Sequence, residues 1–199
     1  MLITKTLEWV VSSYNEHMFT DPKRNIEQFG LTSGMKVADL GAGSGFYTIE
    51  AARHVGESGR VFAIDVQKEL LEKIKKDAYH EHLFNVEVIW GDLEKVGGTR
   101  LQDGSMDAVI VSNVLFQIQD KNQFFDEITR ILKPNRQVLL VDWAENILGP
   151  EKNAIVTEAA AKKLFQDKGF TFESNINAGN QHYGLVFKKP GRNVATNYE

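Results

Sequence analysis

An α/β fold is predicted for this 199-residue chain, with helices wound around a mostly parallel sheet that ends in an antiparallel hairpin. Three observations predict it. Five apolar strand-like runs are interleaved with helical patterns between residues 35 and 143. The fifth, RQVLLVDW (136–143), is almost continuously apolar, as expected of a central parallel strand covered on both faces. The last two runs, FTFESNIN (170–177) and QHYGLVFKK (181–189), are joined by too short a connection for a crossover, so they pair antiparallel.

The elements follow in order. The first 30 residues read as one or two helices packed ahead of the sheet. MKVADL (35–40) is a buried strand, and Phe46, Ile49 and Ala52 then recur at helical spacing up to Gly56. RVFAID (60–65) is the second strand, and Leu70, Leu71, Ile74 and Ala78 mark one face of the next helix. NVEVIWGD (85–92) alternates with period two, and SMDAVIVSN (105–113) is the fourth strand. Phe124, Phe125, Ile128, Ile131 and Leu132 form a helical stripe closed by Lys133-Pro134-Asn135. After the fifth strand, a loop with Gly149-Pro150 leads to a helix at about 157–168, ended by Gly169. The polar tail beyond Pro190 is expected to fray.

Composition narrows the function. Hydrophobic residues at 42% and charged residues at 25% are ordinary for a globular domain. Lys plus Arg total 23 against 27 Asp plus Glu, a net charge of −4, which argues against a nucleic-acid partner. With no cysteine, disulfides, zinc–thiolate sites and cysteine nucleophiles are excluded. The start, MLITKTLEWVVSSYNEHMF, lacks a basic leader and is interrupted by Lys5, Glu8 and Asn15, so no signal peptide is expected. No run approaches the roughly 18 apolar residues of a membrane span, and a cytoplasmic location is expected.

The chemistry concentrates in VADLGAGSG (37–45). Asp39 ends the first strand, Gly41 and Gly43 allow a sharp turn with bare backbone for a ligand, and Gly45 opens the helix. Asp65 ends the second strand, where an acid in a nucleotide-binding βαβ unit accepts ribose hydroxyls. Dinucleotide sites use G-x-G-x-x-G to bring a helix N-terminus to a pyrophosphate. Here the spacing is G-x-G-x-G with an acid two residues ahead, which repels a pyrophosphate and suits a ligand carrying an ammonium group.

On VADLGAGSG, AID (63–65), GDLE (91–94), DGSMDAVIVSNVLFQI (103–118) and ITRILKPNRQVLLVDW (128–143), the chain resembles class I S-adenosylmethionine-dependent methyltransferases, in particular the ubiquinone/menaquinone-biosynthesis C-methyltransferase group. The resemblance implies a Rossmann-like, doubly wound seven-stranded sheet of order 3-2-1-4-5-7-6 with strand 7 antiparallel. The chain is expected to divide into an N-terminal helical lid segment (1–30), of which the resemblance covers little, a methyltransferase domain (31–189) and a flexible tail (190–199). It implies S-adenosylmethionine as cofactor and S-adenosylhomocysteine as product. Asp39, Gly41 and Gly43 would lie along the methionine and ribose part. Asp65 would take the ribose hydroxyls, with Val66 against the adenine. Asp92 would accept the adenine amino group beside Leu93, and Asn113 would face the methionyl portion.

The acceptor is expected at the carboxyl ends of the fourth and fifth strands. Candidates are Asn113, Phe116, Asp142, Trp143 and Glu145, with Asp142 as a possible base or binder of a cationic acceptor. Tyr14, His17, Met18 and Phe19 could form the lid, and Tyr14 and His17 join Asp142 as catalytic candidates; packing of an amphipathic helix is the alternative. Alternation sends one of His182 and Tyr183 inward. His80 and His82 read as helix-end residues, His54 as a surface residue, and no metal site is expected. A small-molecule acceptor is favoured over RNA or protein, and arsenic is disfavoured because the arsenic enzymes of the resembling group rely on cysteines. A nicotinamide-dependent oxidoreductase and a non-catalytic S-adenosylmethionine-binding module are the other readings.

Overall fold

The computed structural model describes residues 20–144 and 154–191. Tyr14, His17, Met18, Phe19, Glu145 and most of the tail lie outside these residues. Seven strands form one sheet: β1 (Lys36–Leu40), β2 (Arg60–Asp65), β3 (Val86–Trp90), β4 (Met106–Ser112), β5 (Leu132–Trp143), β6 (Thr171–Ile176) and β7 (His182–Lys188). Their order is β3-β2-β1-β4-β5-β7-β6, as the resemblance implies. The first five strands pair in parallel, and β7 runs antiparallel to both β5 and β6. The described helices are α1 (Pro22–Phe29), α2 (Phe46–Val55), α3 (Lys68–His80), α4 (Lys121–Ile131) and α5 (Glu158–Asp167). None is long and apolar enough to cross a membrane.

Strand alternation divides the core between two faces. Val109, Val111, Val138, Leu140, Leu185 and Phe187 pack with Phe124, Phe125 and Phe165 of α4 and α5. Val37, Ala108, Ile110, Leu139, Val141 and Val186 pack with Ile26 and Phe29 of α1 and Tyr47, Ala51 and Val55 of α2. Both faces of β5 are therefore covered, which is why its sequence is apolar at successive positions. Side chains set the helix starts. Asp21 accepts from Arg24 N at 3.1 Å, with Pro22 in the first turn, Asp120 accepts from Gln123 N at 3.1 Å, and Thr157 accepts from Ala160 N at 3.1 Å. Each such cap stabilises by about 1 kcal/mol.

Three details differ from the sequence pattern. Phe46 is 68% exposed, and the buried stripe of α2 starts with Tyr47 and Thr48 instead. The segment Lys133-Pro134-Asn135 does not separate helix from strand. β5 begins at Leu132 opposite Met106, and the next pair is Gln137 with Ala108. The extra residues bulge against Asp107, which accepts from Lys133 Nζ at 2.8 Å and Lys36 N at 3.0 Å, while Asn135 takes a left-handed φ of 60°. Finally, His182 and Tyr183 are both buried. Alternation does send them to opposite faces, but β7 lies inside the sheet and both faces are covered.

Loop anchoring prepares the ligand site. Glu127 of α4 is fully buried and accepts from Gly97 N at 2.7 Å, Thr99 N at 3.1 Å and the Thr99 hydroxyl, and it pairs with Arg130 Nη2 at 2.7 Å. Burial alone would raise its carboxyl, but the Arg130 and Thr99 hydrogen bonds overcome this and hold it down at about 2. Glu94 Oε2 accepts from Gln119 N at 3.0 Å and Asp120 N at 2.7 Å. The loop after β3 is thereby fixed to the loop after β4.

Candidate functional site

A cavity of about 690 Å³ opens at the carboxyl ends of β1, β2, β3 and β4. This is where strand order reverses, since β1 sits between β2 and β4. All eight residues that the resemblance gives to the cofactor line it: Asp39, Gly41, Gly43, Asp65, Val66, Asp92, Leu93 and Asn113.

The glycines divide into two roles. Gly41 has φ +73°, and a Cβ there would stand 2.6 Å from Val114 Cγ2, so the cavity floor admits only bare backbone. Gly43, at φ +52°, donates its N–H to Asp65 Oδ2 at 2.9 Å. Gly45 is not part of the wall. Its Cβ would meet Ile74 Cγ1 at 2.6 Å, so this glycine lets the start of α2 lie against α3.

Asp65 is 6% exposed, and its other oxygen accepts from Gln67 N at 2.9 Å. Each carboxylate oxygen has taken one backbone donor and keeps acceptor capacity towards the cavity. Asp39 is almost fully buried and accepts from the Thr48 hydroxyl at 2.6 Å. Burial raises its carboxyl to about 6, the Thr48 bond partly opposes this, and nearby Asp65 adds to it. The Tyr47 hydroxyl, raised by burial, lies 2.8 Å from Thr20 Oγ1 and accepts from Asn25 Nδ2 at 2.7 Å. This ties the cavity wall to the segment entering α1.

Asn113 has a left-handed φ of 52°, a conformation that asparagine tolerates better than most residues. Its N–H donates to Val141 O at 2.9 Å. Its Oδ1 is buried without a hydrogen-bond partner in the cavity wall. An unmet acceptor there costs about 1–3 kcal/mol and fits a ligand that brings a donor. At the other end, Val66 is half-exposed over the cavity, and its carbonyl accepts from the Trp90 indole N–H at 2.9 Å. Asp92 pairs with Lys95 Nζ at 2.7 Å and accepts from Glu94 N at 3.0 Å; the Lys95 contact lowers its carboxyl below the ordinary range. Three acids, an unmet amide oxygen and an apolar edge are thus spread along one cavity.

Asp142 is not at the cavity wall. It is 1% exposed, accepts from Leu115 N at 3.0 Å and Trp143 N at 2.8 Å, and faces the α4 side of β5. Burial raises its carboxyl to about 6 against the lowering effect of these backbone donors. It braces the Val114–Leu115 backbone from behind. Phe116 is half-buried and, like Trp143, lies outside the wall, whereas Tyr14, His17 and Glu145 fall outside the described residues. The wall also contains residues that the sequence pattern did not single out, notably Thr20, Phe46, Tyr47, Ser112, Gln117 and Ile118. Phe46 carries one usable signal: it follows the last glycine directly, so it stands at the cavity mouth. His54 Nδ1 lies 2.9 Å from Glu50 O on the flank of α2, in keeping with a surface role.

A methyltransferase domain model matches residues 31–188. The chain is 31% identical over 129 residues to a ubiquinone/menaquinone biosynthesis C-methyltransferase of Pasteurella multocida, covering 63% of this chain and 46% of that protein. It is 30% identical over 121 residues to an arsenite methyltransferase of Halobacterium salinarum, covering 61% of this chain and 30% of that protein. The match thus spans less than half the length of either relative. A solved SAM-dependent methyltransferase from Aquifex aeolicus superposes with a TM-score of 0.78 at 28% identity, covering 85% of this chain and 90% of that one. Sheet order, glycine loop and family match agree, and the chain belongs to the methyltransferase domain family.

Proposed function

We propose that the protein transfers the methyl group of S-adenosylmethionine to a small-molecule acceptor. The observation that carries this reading is the single cavity that joins Asp39, Asp65, Asp92 and the unpartnered Asn113 Oδ1 around a glycine floor. When bound, the cofactor supplies an activated methyl on a sulfonium, which passes in line to a nucleophile. The chain's own part is to bind, align and exclude water. Asp65 holds the ribose hydroxyls, Val66 and Leu93 flank the adenine, and Asp92 accepts its amino group. Asp39 and Asn113 hold the ammonium end. Phe46, Val114 and Ile118 supply apolar cover. Residues 1–30 act as the lid in this reading, with Tyr14 and His17 as catalytic candidates outside the described residues, and Thr20 and Pro22 belong to the wall. A cytoplasmic setting belongs to the same proposal.

A small acceptor is supported by the net charge of −4 and by the names of the relatives, which concern quinone biosynthesis and arsenite. The chain has no cysteine to offer arsenite. The test is formation of S-adenosylhomocysteine by the full chain against a panel of small nucleophiles, with transfer RNA and a peptide pool as comparators. Turnover should need a small molecule. Turnover with a macromolecule alone would replace this acceptor class, and tight binding with no turnover on any acceptor would indicate a binding module.

A further inference from the structure

The cavity accounts for the cofactor but leaves a second group of polar atoms unexplained. Trp143 at the end of β5 stands opposite His182 at the start of β7 in the antiparallel register. Their ring centroids are 4.4 Å apart with planes inclined at 36°. Trp143 Nε1 and both ring nitrogens of His182 are buried without a hydrogen-bond partner among the described residues. Such atoms are costly to leave unmet inside a protein.

Their position is informative. By alternation Trp143 shares a face with Val141, and His182 with Val186, both packed on the α1–α2 side of the sheet. Asp39 and Ser112, which line the cavity, lie on this same face at the ends of β1 and β4. Across the carboxyl edge the polar groups therefore run Asp39, Ser112, Trp143, His182, in the strand order β1-β4-β5-β7. The pair lies beyond the cavity wall, on the side of β4 away from Asp65.

We infer that Trp143 and His182 bind the methyl acceptor through an uncharged hydroxyl group. This inference rests on the methyltransferase reading. A single hydroxyl can meet both residues at once: its oxygen accepts from the indole N–H, and its hydrogen is donated to an imidazole lone pair. Charge does not suit the pair. Burial lowers the imidazole to about 4, with no charged neighbour contributing, so at neutral pH the ring is uncharged and offers no counter-ion to a carboxylate. An ammonium would likewise sit in a desolvated place without a counter-charge.

The test uses the full chain saturated with S-adenosylhomocysteine. Phenol, anisole, benzoate and benzylammonium are titrated while the Trp143 indole and His182 ring resonances are followed by NMR. Phenol should shift both resonances saturably, and the other three should bind at least about tenfold more weakly. His182→Phe should weaken phenol binding by at least about tenfold while leaving S-adenosylhomocysteine affinity unchanged. Its melting temperature should be equal to or above that of the parent, because the substitution removes two unmet buried nitrogens. Absence of a phenol response, equal binding of anisole, or a clear fall in melting temperature overturns the inference. Failure of S-adenosylhomocysteine itself to bind would instead strike the methyltransferase reading beneath it.

Discussion

Replacing Asp65 with alanine should weaken S-adenosylhomocysteine binding by about a hundredfold. A hydrogen bond to a charged group contributes about 1.5–3 kcal/mol, and a hundredfold corresponds to about 2.7 kcal/mol. The carboxylate has a second task, because it accepts from Gly43 N and Gln67 N at 2.9 Å each. Alanine removes the proposed ribose partner and releases the glycine loop together. Asp65→Asn keeps the shape and one acceptor oxygen, so it should fall between the parent and the alanine variant. Calorimetry checks the series. An unchanged dissociation constant in a folded Asp65→Ala protein would remove Asp65 from the site.

Asp39→Asn should have opposite effects on stability and on binding. The Asp39 carboxyl lies at about 6 in the fold against an ordinary 3.8. For an acid raised in this way, the fold bears the cost of the charge fully above about pH 6 and is free of it below 3.8. The difference corresponds to about 3 kcal/mol. Asparagine carries no charge and still accepts from the Thr48 hydroxyl, so the unliganded variant should be more stable at neutral pH by up to that amount. Its stability should also lose the decline that Asp39 causes between pH 3.8 and about 6. Cofactor affinity should drop, because the acid proposed to meet the ammonium is gone. Chemical denaturation across this pH range, paired with calorimetry, reads both effects. A variant that is less stable yet binds normally would mean that Asp39 is a structural acid.

Much of this architecture is legible in the sequence because it rests on local pattern. Strand alternation, the G-x-G-x-G turn, and Asp39 and Asp65 at strand ends are short-range features. They place the strands, the turn and two acids of the cavity wall, whereas the sheet order and the remaining cofactor-side residues follow from the family resemblance. What escaped depends on distant contacts. Gly45 looks like a ligand glycine, but its bare α-carbon makes room for Ile74. Asp142 looks like a strand-end acid open to substrate, yet its partner is the Leu115 amide, 27 residues earlier in the chain. Phe46 fits the apolar period of α2 but sits at its first position, beside the cavity, where the helix no longer faces the core. His182 and Tyr183 could not be placed by alternation alone, because burial of both follows from β7 lying between β5 and β6.

The central claim is that this cavity holds S-adenosylmethionine and not a dinucleotide. Calorimetric titration of the full chain with S-adenosylhomocysteine and, separately, with NAD tests it most directly. The account predicts saturable one-to-one binding of S-adenosylhomocysteine, lost stepwise in Asp65→Asn and Asp65→Ala, with no heat from NAD. Tight NAD binding together with no response to S-adenosylhomocysteine would contradict it.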